Sequence, residues 1–143
     1  WSSDVCSSDL TEETIKKIKP SKIYIIGGTS VISDNVKENV KKLSGVSDEN
    51  IVRIWGEDRY STSINIAKSF ELNNKIATFA SGVDFPDALA GSVLAAKLNA
   101  PLILISDNNN LQKKFIDLGE YSDQIIFGGT ASVSEQTQNN LAR

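Results

Sequence analysis

From Thr11 onward, short runs rich in Ile, Leu, Val and Phe and nearly free of charge alternate with longer stretches in which apolar residues recur three and four positions apart. The first pattern suits strands covered on both faces and the second suits amphipathic helices. Their alternation predicts an α/β fold of βα units on a parallel sheet. Strands are expected at Ile23–Ile26, Ile51–Ile54, Ile76–Ala80, Leu102–Ile105 and Ile125–Phe127. Ser33 is placed to cap a helix over Asp34–Leu43, where Val36, Val40 and Leu43 share a face and Gly45 marks the stop. Asp58 or Ser61 can cap a second helix that carries Ile64, Ala67 and Phe70 toward the sheet. Pro86 fits the first turn of a third, with Asp84 as its cap and Ala88, Ala90, Gly91, Ala95 and Ala96 small enough for close packing. Pro101 opens a strand, where a missing N–H does little harm. Asn109 and Asn110 precede a fourth helix ending near Gly119, and Ser134 caps the last.

An internal repeat lies on top of this pattern. The segment from Lys22 to Ser33, with Gly27-Gly28-Thr29, returns as Gln124 to Ser134 with Gly128-Gly129-Thr130, with a one-residue slip after the threonine and an offset of 101 residues between Gly27 and Gly128. Two strand–Gly-Gly-Thr–helix units a domain length apart predict a tandem repeat array. Residues 11–46 then form the C-terminal part of one repeat and residues 51–143 a complete one. Residues 1–10 repeat Ser-Ser-Asp, carry Cys6 and show no periodicity, and are set aside as a non-native or disordered segment.

Composition narrows the chemistry. A net charge of −3 argues against a nucleic-acid partner, which needs a clustered excess of Lys and Arg. No apolar run approaches the roughly 20 residues of a membrane span. With no His and a single Cys, most nitrogen- and sulfur-ligated metal sites and every His-dependent triad are unavailable, so neither a metal nor a cofactor is expected.

Four segments could carry a site. The Gly-Gly-Thr turns, at Gly27 and Gly28 and again at Gly128 and Gly129, serve either as tight turns or as a backbone cradle for an anion. Arg53, Asp58, Arg59 and Tyr60 lie where a strand ends and a helix begins, the side of an open α/β sheet that takes ligands. Two guanidiniums could hold phosphate while the ring packs on a sugar, or Asp58 and Arg59 form an ion pair and Tyr60 belongs to the core. Asp84 and Asp87 flank Pro86 and suit helix capping, a hard cation or general acid–base work. Pro101-Leu102-Ile103-Leu104 reads on physical grounds as a buried strand.

In order, Arg53 to Thr62, Phe85 to Ala90, Ala100 to Leu104 and Ile125 to Thr130 resemble the cell wall binding type 2 repeat of Gram-positive, especially clostridial, surface proteins. That resemblance implies a secreted, non-catalytic anchor made of Rossmann-like α/β repeats. Three such repeats would form a pseudo-threefold trimer and hold an anionic, teichoic-acid-like secondary wall polymer at the cell surface. The expected polymer-binding residues are Arg53, Asp58, Arg59, Tyr60, Asp84, Asp87, Gly27, Gly28, Gly128, Gly129 and Pro101, the last because its segment matches the family's anchoring motif. The competing reading is a small Rossmann- or flavodoxin-like enzyme or nucleotide-binding domain that uses the Gly-Gly-Thr loops for phosphate and Asp84 or Asp87 as acid–base. A third is a structural spacer whose repeats chiefly contact one another.

Overall fold

The structure, a computed structural model, describes residues 9–73 and 75–141. The chain divides into two compact bodies, one ending at Trp55 and the other beginning at Gly56.

The first body runs α1 (Asp9–Ile18), β1 (Ile23–Ile26), α2 (Asp34–Ser44), a 3-10 turn (Asp48–Asn50) and β2 (Ile51–Ile54). β1 and β2 are parallel, with Ile23 opposite Ile51 and Ile26 opposite Ile54. Ile25, Val46 and Ile51 are buried between sheet and helices, with Ile23 and Ile32 packed against them. Gly45 ends α2 in the left-handed region at φ 71°, which favours glycine, and its N–H donates to Lys41 O. Ser33 occupies the N-cap position of α2 but makes no side-chain cap bond. Asp48 instead ties the turn to α2, with Lys37 Nζ at 3.1 Å and Lys41 Nζ at 3.3 Å. Those hydrogen bonds hold its carboxyl below the ordinary value. α1 starts inside the segment set aside above, so Asp9 and Leu10 belong to a helix; Cys6 lies outside the described residues.

The second body runs α3 (Arg59–Ser69), β3 (Ile76–Ser81), α4 (Pro86–Lys97), β4 (Leu102–Ile105), α5 (Asn110–Leu118), β5 (Asp123–Phe127) and α6 (Glu135–Leu141). Its sheet is parallel throughout, in the order β4-β3-β5. The central strand β3 is buried along Ala77–Ser81, and Phe79, Ile103, Ile105, Ile116 and Leu141 form the core beneath it. From β3 the chain steps through α4 to β4, then crosses back through α5 to β5 on the far side of β3. Right-handed crossovers in opposite directions put α4 and α5 on opposite faces of the sheet. No helix among the described residues is long and apolar enough to cross a membrane.

Two expectations change. β2, read from sequence as the opening strand of the complete repeat, pairs with β1 in the first body rather than with β4-β3-β5. The two Gly-Gly-Thr units also superpose without the one-residue slip. The turn bonds Ile32 N–H to Gly28 O and Val133 N–H to Gly129 O, and the helix bonds Lys37 N–H to Ser33 O and Gln138 N–H to Ser134 O, all keep the same offset.

Candidate functional site

Adjacent strands β3 and β4 send their following loops to opposite faces, and such a switch point opens a crevice at the C-terminal ends of a parallel sheet. The second body has a cleft of about 570 Å³ there. Ser81 and Asp84 line it from the end of β3 and the loop after it, Ser106, Asp107 and Asn108 from the loop after β4, Thr130 to Ser134 from the loop after β5, and Thr137 from α6. Thr137 Oγ1 donates to Asp107 Oδ1 at 3.1 Å, and Ser134 Oγ accepts the Thr137 N–H as the cap of α6. The lining supplies hydroxyls, an amide and two carboxylates and no cationic side chain. It suits hydroxyl-rich or cationic groups better than a bare phosphate.

The segment from Gly56 to Thr62 forms a lock beside this cleft. Asp58 caps α3: its Oδ1 accepts the Ser61 N–H at 2.7 Å, and Ser61 Oγ accepts the Asp58 N–H in return. The Ser61 N–H, and after it the Ser61 hydroxyl, holds the Asp58 carboxyl below its ordinary value of 3.8. Thr62 Oγ1 accepts the Gly56 N–H at 2.9 Å, and any Cβ on Gly56 would collide with Ser61. Arg59 Nη1 donates to Gly82 O at 2.8 Å, and the Tyr60 ring lies against Gly82 where a side chain would otherwise stand. Arg59 and Tyr60 therefore grip the residue between Ser81 and Val83, both of which line the cleft. Arg59 remains exposed, with most of its guanidinium free of that bond.

The other expected residues are placed differently. Arg53 lies in the first body, where Nη1 donates to Gly27 O and Ile32 O at 2.8 Å each and Nη2 reaches Asp34 at 3.2 Å. The Trp55 ring covers Gly28. The Gly27-Gly28 turn is thereby braced from within rather than left open. In the second body Gly128, at φ 109°, leaves room for the Asp87 carboxylate, while the space around Gly129 is open. Asp84 is not the cap of α4, because Phe85 already has helical dihedrals at the N-cap position; Asp84 faces the cleft instead. Pro101 is less than 2% exposed and its carbonyl accepts both the N–H and Oγ1 of Thr78, so it offers no surface to a polymer. Among the described residues no three His, Cys, Asp or Glu side chains gather as a metal site. Ser106, Asp107, Asn108 and Thr137 were missed from sequence, although the rule that ligands meet the C-terminal ends of parallel strands points to the residues after β4.

A family model described as cell wall binding domain 2 matches residues 53–138, which include both the lock and the cleft. The amidase enhancer of Bacillus subtilis (strain 168) is 32% identical over 126 residues, covering 86% of this chain and 17% of the relative. The N-acetylmuramoyl-L-alanine amidase LytC of the same strain is 31% identical over 133 residues, covering 92% of this chain and 25% of the relative. Among solved structures, Cwp6 from Clostridium difficile matches with a TM-score of 0.82 and 26% identity over 94% of this chain and 21% of that one. Cwp8 from Clostridium difficile matches with a TM-score of 0.69 and 33% identity over 87% of this chain and 20% of that one. The chain thus spans a quarter or less of each of these relatives. By its family match, which spans more than half of its residues, the chain belongs to the cell wall binding domain 2 family.

Proposed function

We propose that this chain is part of a non-catalytic anchor that holds a secreted protein on the wall of a Gram-positive bacterium by binding an anionic, teichoic-acid-like secondary polymer. The observation that carries this is the family match, because it spans the exposed Arg59 and the polar cleft together. The free part of the Arg59 fork takes a polymer phosphate, while Asp84, Asp107 and the hydroxyls of the cleft take sugar hydroxyls. Residues 11–46 and 51–143 are parts of successive Rossmann-like repeats in a pseudo-threefold array. Phe85 at the N-cap of α4 and Leu89 and Val93 on it, spaced four apart and 75%, 67% and 60% exposed, support packing against a neighbouring repeat. Sedimentation of the repeat array with purified anionic wall polymer, against a neutral polysaccharide control, tests the reading. Equal retention on both, or on neither, would overturn it.

A further inference from the structure

The two edges of the β4-β3-β5 sheet are unequal. On β4, Leu104 turns its backbone outward and helix side chains meet both of its polar groups. The Leu104 N–H donates to Ser63 Oγ at 3.0 Å, and Gln112 Nε2 donates to Leu104 O at 2.8 Å. Side chains placed this way close an edge to further pairing. β5, at the other edge, pairs with β3 alone among the described residues.

The first body shows what such an edge accepts. β1 is the counterpart of β5 at the offset of 101 residues, and β1 carries β2 beside it, parallel. The Gly27 N–H donates to Ile54 O at 2.9 Å, and the Trp55 ring comes to 3.5 Å from where a Cβ on Gly28 would stand. Arg53 joins the Gly27 and Ile32 carbonyls to Asp34. The same fittings recur in the second body with no strand in them. The Gly128 N–H makes no bond among the described residues, and nothing lies within 4 Å of a Cβ on Gly129. Glu135 stands in the place of Asp34, and the Gly128 and Val133 carbonyls in those of Gly27 and Ile32, Val133 O already accepting from Gln138 Nε2 at 2.9 Å.

We infer that the outer edge of β5 is a strand-docking site for the leading strand of a following repeat, a parallel segment with the Ile-Val-Arg-Ile-Trp-Gly pattern of residues 51–56. Each repeat lends its first strand to the sheet of the repeat before it. This deepens the tandem-array reading given above and does not depend on polymer binding.

The test extends the full chain after Arg143 with a copy of its own residues 43–56, which restores the spacing between β1 and β2. Two controls carry the same extension scrambled, or with the copied arginine and tryptophan changed to alanine. Amide exchange followed by NMR should slow about tenfold or more at Gly128 and along β5 with the true copy, less with the alanine copy and not at all with the scrambled one. The slowing should not depend on protein concentration, because the strand docks within its own chain. Equal exchange in all three proteins overturns the inference. Slow exchange in a protein that fails to bind polymer leaves the docking site standing and counts against the anchor.

Discussion

Replacing Arg53 by alanine separates a brace of the first body from a group that faces a ligand. The side chain is 15% exposed, and Nη1 donates to two carbonyls at 2.8 Å each. A hydrogen bond from a charged donor contributes about 1.5–3 kcal/mol. The pairing with Asp34, whose side chain is 73% exposed, adds at most about 1 kcal/mol. Both strong bonds leave from one nitrogen, so their losses overlap, and Arg53→Ala should destabilise the first body by about 2–4 kcal/mol. Asp34→Ala should cost less than about 1 kcal/mol. Arg53→Lys keeps the charge and one of the two bonds and should fall between them. In a body whose buried core is Ile25, Val46 and Ile51, a loss of 2–4 kcal/mol is a large share of the whole, since domains are stable by only about 5–15 kcal/mol. Urea unfolding followed by Trp55 fluorescence in a Trp1→Phe background reads that body. If Arg53→Ala stays within about 0.5 kcal/mol of the parent while wall retention drops, the bracing role is refuted and the guanidinium belongs to the polymer.

Arg59→Lys should weaken retention on purified wall polymer without changing the unfolding midpoint, because the forked geometry is lost and the charge kept; unchanged retention would reduce Arg59 to its bond with Gly82 O. Gly82→Ala should cost about 1–3 kcal/mol in thermal unfolding, because the new methyl falls on the Tyr60 ring. Combined with Tyr60→Ala the loss should be less than the sum, and strict additivity would deny the contact. Asp58→Ala should cost about 0.5–2 kcal/mol at neutral pH through loss of the α3 cap. Because the folded-state pKa of Asp58 is lowered, its charged form stabilises the fold fully above about 3.8 and loses that effect as pH falls through the folded value, so the gap to the parent should narrow in acid; a gap that widens there would contradict it. Fragments starting at Ile51 and at Gly56 should unfold at the same midpoint, since β2 pairs with β1 and not with the second sheet. A large deficit in the shorter fragment would give β2 a role in the second body.

The strands were legible because each is a short run, nearly free of charge, closed by a turn residue. Ile23–Ile26, Ile51–Ile54 and Leu102–Ile105 end where periodicity puts them. β5 begins earlier than its apolar run, at Asp123, because a strand's length is set by its partner, and Asp123 lies opposite Ile76. Pairing of β2 was invisible for the same reason: Ile51-Val52-Arg53-Ile54 says that a strand exists and nothing about which edge receives it. The motif around Asp58 was visible as chemistry, but residue types alone could not separate ligand contacts from internal bonds. Arg53 and Arg59 look alike in sequence, yet one is enclosed by carbonyls 21 and 26 residues away along the chain and the other stays exposed. The cleft was half legible. Asp84 was found, while Asp107 and Thr137 come together only once β4 and α6 are adjacent.

These placements bear on how an anchor of this family could hold tightly. The cleft has no cationic lining and Arg59 is one fork already bonded once, so on the proposed reading a single repeat makes few strong contacts with an anionic chain. Linked sites raise apparent affinity by about 10²–10⁴ only where the geometry lets them engage together. A flexible tether would leave that geometry loose. A donated strand shortens that tether, because its hydrogen-bonded register holds the first strand of one repeat on the last strand of the one before, as Ile51 is held opposite Ile23 here. Strand donation would therefore serve the anchor twice, by satisfying the open edge of β5 and by shortening the free chain between successive repeats.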